Sequence, residues 1–297
     1  MKFTTLLILF IPTLVFSQNR IYVSLTAAGA NTGANWTNAF TDFALALQTA
    51  EAGDTIWVAQ GTYYPTSTTD RAISFQPKSG VRMYGGFQGT ETQLIQRDWH
   101  TFQTKLSGDI GIADDSTDNS YSVMYMLNPD SLTVLDGFTV ADGMALYTGT
   151  DDNLSPRKSG GGLYIMAAGG SGYPLIQHCT FKRNSALRYG GGICINGSNN
   201  GSVVPLIRRC TFENNYSQYA AGIYKNGGSK VDRYPDIDSC AFINNYATTW
   251  GGGIYFDDSE STDSMEIQHC NFQKNRSGLG SCIFIGKGRE SGSIVSV

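Results

Sequence analysis

Apolar residues recur through the second half of the chain at a near-constant interval. Ile176, Ile207, Ile237 and Ile267 form one column, and Cys179, Cys210, Cys240 and Cys270 form a second, spaced 31, 30 and 30 residues apart. Phe181, Phe212, Phe242 and Phe272 follow two positions later, and Asn184, Asn215, Asn245 and Asn275 three beyond those. A glycine-rich stretch then leads into Leu163, Ile193, Ile223, Ile254 and Ile283. Within each unit the apolar runs are short and β-like, as in "PLIQHCTF" and "GGICI", and no helical period appears. A unit this short cannot bury its own apolar face, so it must stack on copies of itself.

Stacking in register makes equivalent strands pair in parallel about 4.8 Å apart, with identical side chains above one another. The expected fold is therefore all-β, a right-handed parallel β-helix with one coil per repeat. Leucine-rich repeats need a helical half, and propellers need longer blades. Ile and Phe columns point inward. Cys and Phe, two apart, share a face, whereas Ile and Cys, three apart, require a corner or bulge between them. The asparagine column suits a stacked turn, because Asn tolerates left-handed backbone and its amide can bond to the next coil.

The first half is less regular. Thr41 to Glu51 reads as an amphipathic helix ended by Gly53, suited to capping the open end of the core. "SFQPKSGVRMYGGFQGTE" and "TVLDGFTVADG" read as divergent coils, and Met144 to Ser159 as a loop inserted over one edge. The opening "MKFTTLLILFIPTLVFS" has one early lysine and an apolar stretch too short to span a bilayer, the pattern of a signal peptide cut after Ser17. The expected organisation is a signal peptide over 1–17, a cap over 18–54 and the β-helix over 55–297. The final "SIVSV" falls where another inward strand would begin, before any further Cys-x-Phe. The last coil is thus expected to be incomplete, as in a truncated gene product or part of a longer protein.

Composition sharpens this picture. Glycine is abundant at 35 residues, with 16 Tyr and 15 Phe, which favours turn-rich β structure over helix. A formal charge of −4 with no basic block argues against nucleic acid as a partner. No later stretch is long and apolar enough for a membrane helix.

The segments "GDTIWVAQGTYYP", "DRAISFQPKSGVRMYGGFQGTE", "QRDWHTFQTKLSGDI" and "LDGFTVADG" resemble those of secreted right-handed β-helix repeat proteins of Bacteroidota. The pairing of FKRN, FENN, FINN and FQKN with GGGI-type motifs is similar to that of chlamydial polymorphic outer-membrane proteins, which are adhesin-like. These resemblances imply a secreted, cell-surface or outer-membrane protein and carry no catalytic residue.

Several constellations could bear chemistry. Tyr164, Tyr224, Tyr255 and Phe284, with Cys194 in the same column, follow the inward residues of the glycine-rich strand and so face outward. They are the expected glycan-stacking stripe. Arg208, Arg209 and Asp238 lie beside the other strand and could supply the base and charge neutraliser of a lyase, or a hydrolase carboxylate. Asp109, Asp114, Asp115 and Asp118 offer oxygen ligands for calcium, as do Asp257, Asp258, Glu260 and Asp263. Otherwise no cofactor is expected. The His–Cys pairs His178–Cys179 and His269–Cys270 put adjacent residues on opposite faces, which argues against zinc. Side-by-side Cβ vectors suit a ladder of buried thiols better than disulfides. The reading that follows is a non-enzymatic β-helix for adhesion or glycan binding, with an extracellular polysaccharide or a host or cell-surface glycan as partner. A polysaccharide lyase or glycoside hydrolase on the same scaffold is the alternative.

Overall fold

The structure is a computed structural model and describes residues 18–197, 201–226, 234–258 and 266–287. The signal-peptide segment, Glu260, Asp263 and the terminal "SIVSV" lie outside the described residues. Every registered strand pair is parallel, as in Ile176↔Ile207, Phe181↔Phe212 and Ile193↔Ile223. The chain winds as a right-handed β-helix. Four long sheets run along it. An eight-stranded sheet carries the isoleucine column, including Leu175–Gln177, Leu206–Arg208 and Asp236–Asp238. A seven-stranded sheet carries the phenylalanines, a four-stranded sheet follows the asparagines, and a six-stranded sheet follows the glycine runs.

The core is the stack that the periodicity implies. Phe181, Phe212, Phe242 and Phe272 lie ring over ring, with centroids 5.1, 4.8 and 4.8 Å apart and planes within 7°. The required corner between the isoleucine and cysteine columns is a single residue in left-handed backbone: His178, Arg209, Ser239 and His269 all have φ between 50° and 56°. Cys179, Cys210 and Cys240 are buried free thiols, and Cys179 and Cys210 donate to the carbonyls of Leu135 and Ile176 one coil away.

The asparagine turn differs from expectation in one respect. The left-handed residue is the one before the ladder: Arg183, Asn214, Asn244 and Lys274, with φ of 54° or 55°. Asn184, Asn215 and Asn245 are buried instead, and each amide bonds to the coils on both sides. Asn215 Oδ1 accepts from Asn184 N–H at 3.0 Å, while its Nδ2 donates to Phe181 O at 2.9 Å and to Asn245 Oδ1 at 3.0 Å.

The capping helix is shorter than its sequence pattern suggests, spanning Phe43–Thr49. The Asp42 carboxylate accepts the Ala44 and Leu45 N–H groups and so fixes the start, and Ala50 turns extended at the end. Phe43 packs on Tyr63, Phe75 and Phe138 at the end of the core. No helix among the described residues is long and apolar enough to cross a membrane.

Candidate functional site

The expected aromatic stripe does point away from the core, but it is covered. Tyr164, Tyr224 and Tyr255 are buried, 1%, 1% and 4% exposed, in a second apolar layer with Cys194. Tyr189, Tyr219 and Trp250, each four residues before an inward isoleucine, fold over them. Tyr189 lies 4.3 Å from Tyr224, and Trp250 stacks on Phe284 at 5.1 Å. The loop after Met144 closes over Tyr164, whose hydroxyl donates to Leu154 O. Burial pushes the Tyr164, Tyr224 and Tyr255 hydroxyls well above the usual phenol range. The strand parity therefore gives the right direction and the wrong environment: these rings are an outer core and not a stacking surface for sugar.

Arg208, Arg209 and Asp238 are brought together on the eight-stranded face. Arg208 and Asp238 are register partners, and Arg209 N–H donates to Asp238 O at 3.0 Å. Asp238 meets His269 Nδ1 at 2.9 Å, and this imidazole, with the Ser239 hydroxyl, holds the carboxyl below its usual range. Arg208 and Arg209 are exposed. An equivalent pair lies three coils away and is less exposed: buried Asp136 binds the half-buried His178 Nδ1 at 3.0 Å and Arg97 at 2.5 Å. The His178 ring lies 4.3 Å from Trp99.

A concavity lies elsewhere on the outer wall. A cleft of about 270 Å³ is lined by Lys105, Asp109, Asp114, Ser116, Asn119, Asp142, Met144 and Arg183. Three coils converge there. Lys105 projects from strand Thr104–Ser107, Asp142 follows strand Phe138–Ala141 in left-handed backbone (φ 67°), and Arg183 holds the same turn position one coil later. Asp142 takes Lys105 Nζ at 2.7 Å on one oxygen and Arg183 at 2.8 Å on the other. Asn119 forms part of the floor. Its Nδ2 donates to Asp142 O at 2.7 Å, while its buried Oδ1 has no hydrogen-bond partner among the described residues. Arg71 fixes this segment by donating to Asn119 O at 2.7 Å.

The four acids proposed for calcium do not converge. Asp109 and Asp114 reach the cleft, where Asp109 accepts the Asp114 N–H at 3.1 Å. Asp115 caps Thr117, whose hydroxyl and N–H lower its carboxyl, and Asp118 accepts the Ile112 N–H at 2.8 Å. Among the described residues no three His, Cys, Asp or Glu side chains are arranged to hold a metal. A divalent ion at Asp109 and Asp114 would also meet the positive charges of Lys105 and Arg183. Of the second acidic set, Asp257 accepts from the Tyr224 hydroxyl at 3.3 Å. Sequence reasoning missed Lys105, Asn119, Asp142 and Arg183, because their spacing of 14, 23 and 41 residues does not follow the repeat.

Against known proteins, the family described as "Right handed beta helix region" matches residues 134–293. No curated protein matches the chain. Among solved structures, pectate lyase Pel9A is similar at 12% identity and a TM-score of 0.37, covering 94% of this chain and 82% of that one.

Proposed function

The chain belongs to the right-handed β-helix family, and from that premise we propose that it is an exported cell-surface protein that binds a neutral glycan in the Lys105–Asp142–Arg183 cleft. The observation that carries this reading is the lining of the cleft, where the donors Lys105 and Arg183 and the acceptors Asp109 and Asp114 meet around one concavity. Hydroxyl groups both donate and accept, so a sugar can pair with both kinds of group. The charge pattern selects the class of sugar. Lys105 and Arg183 already share one carboxylate, while Asp109 and Asp114 add acceptors. A uronate would bring a further negative charge. About 4 Å from one of these carboxylates it costs about 4 kcal/mol at an effective dielectric constant of about 20. A neutral, hydroxyl-rich ring meets donors and acceptors without that penalty.

Affinity electrophoresis and calorimetry against neutral and acidic polysaccharides test this. Neutral polysaccharide should retard the protein, Asp109→Asn and Asn119→Ala should weaken the retardation, and acidic polysaccharide should not bind. Preference for the acidic ligand would overturn the reading. A second reading, a polysaccharide lyase or hydrolase, draws on the Asp136–His178 pair, in which a buried carboxylate holds Nδ1 of a half-buried imidazole. It requires turnover of a polysaccharide that collapses in His178→Ala and Arg209→Ala.

A further inference from the structure

We propose that the cysteine ladder binds a soft, two-coordinate metal ion, copper(I), held between Cys240 and Cys270 at the end of the column. The site is separate from the cleft and does not depend on it. The four ladder thiols occupy equivalent places in successive coils. Each donates to the carbonyl two residues before it, at 3.2, 3.3, 3.4 and 3.2 Å for Cys179, Cys210, Cys240 and Cys270. Each also reaches a carbonyl of the preceding coil, at 3.5, 3.6, 3.6 and 3.8 Å. Side chains placed alike are separated by the coil repeat, about 4.8 Å. The phenylalanines two residues on keep that spacing, with Phe212–Phe242 and Phe242–Phe272 both at 4.8 Å.

A metal–thiolate bond is about 2.3 Å long, so two in line span about 4.6 Å. Neighbouring ladder sulfurs therefore stand at the separation that a linear sulfur–metal–sulfur unit needs. A tetrahedral ion such as zinc lacks its ligand set, because among the described residues no three His, Cys, Asp or Glu side chains are arranged to hold a metal. Soft thiolates suit copper(I), and two of them suffice for it. Burial selects the pair. Cys179, Cys210 and Cys240 are buried among Ile and Phe side chains, whereas Cys270 is half-buried in the last described coil. The Cys240–Cys270 pair thus has an entry path. On binding, two S–H bonds break, two S–Cu bonds form and both protons pass to solvent, so the unit carries one negative charge. That charge is costly inside the dry column and less so at its half-exposed end.

The test is an anaerobic titration of the full chain carrying Cys282→Ser with copper(I), in competition with a chromophoric copper(I) chelator. This chain should take up about one equivalent. Adding Cys270→Ser should weaken uptake by at least about a hundredfold, and adding Cys179→Ser should leave it unchanged. X-ray absorption at the copper edge should report two sulfur neighbours. Unchanged far-UV circular dichroism excludes misfolding. A footprint needs no ladder variant: in the unmutated chain copper(I) should slow alkylation of Cys270. No uptake by the Cys282→Ser chain, uptake indifferent to Cys270→Ser, or nitrogen and oxygen neighbours at the copper would overturn the proposal.

Discussion

Replacing Asn215 with alanine should destabilise the protein far more than replacing its neighbour Asn214 with glycine. Asn215 is 1% exposed. Its amide accepts the Asn184 N–H at 3.0 Å and donates to Phe181 O at 2.9 Å and Asn245 Oδ1 at 3.0 Å. Truncation leaves the Asn184 N–H and the Phe181 carbonyl buried without these partners. At about 1–3 kcal/mol for each orphaned group, the loss is about 4 kcal/mol. That is a large share of the roughly 5–15 kcal/mol that holds a typical domain. Because a solenoid couples only neighbouring repeats, the damage falls on the two interfaces flanking that coil. Asn214, by contrast, is exposed with φ at 55°. Glycine adopts that backbone freely, so Asn214→Gly should change stability by less than about 1 kcal/mol. Urea denaturation followed by tryptophan fluorescence and circular dichroism measures both variants. If Asn215→Ala unfolds within about 1 kcal/mol of the parent, or Asn214→Gly loses as much, the ladder does not support the fold as argued.

Four further outcomes follow from the same packing. Phe212→Ala, between rings at 5.1 and 4.8 Å, should cost about 3–5 kcal/mol, and a midpoint of thermal unfolding unchanged from the parent would contradict the stack. The ladder thiols Cys179, Cys210, Cys240 and Cys270 should all take up an alkylating label after unfolding without reductant, and a Cys179–Cys210 linked peptide in the digest would refute this. In the native state exposed Cys282 should label first, while Cys194, whose thiol burial pushes up, should stay silent. Stability should fall in alkali. Burial raises the folded-state values of Tyr63, Tyr164, Tyr224 and Tyr255 above 10.0, so the unfolded chain loses protons first. The contribution is fully present below pH 10 and declines above it, by up to about 1.4 kcal/mol per pH unit for each tyrosine, as denaturant midpoints at successive pH values would record.

What could be read from the sequence was what stacking writes into it. A side chain that must lie on its own copy recurs at the coil length, so the Ile, Cys, Phe and Asn columns disclosed the fold and its inward faces. Direction relative to the core was equally legible, because Tyr224 must oppose Ile223. Exposure was not, since it depends on what a neighbouring turn places above. The covering residues did leave a trace: Tyr189, Tyr219 and Trp250 stand four residues before Ile193, Ile223 and Ile254, at intervals of 30 and 31. So did Tyr216 and Tyr246, each following a ladder asparagine. One aromatic column is buried by the next, and a third remains outside; periodicity alone cannot rank them. The cleft was hidden for the opposite reason. Lys105, Asn119 and Asp142 come from divergent coils, where winding continues but the repeat in the sequence has lapsed. Arg183 was visible only as a variable letter in "FKRN". In a solenoid the repeated columns hold the coils together, and the chemistry of the cleft collects at positions the repeat leaves free. Asn119, in a coil without an FxxN turn of its own, occupies such a free position in the lining of the cleft.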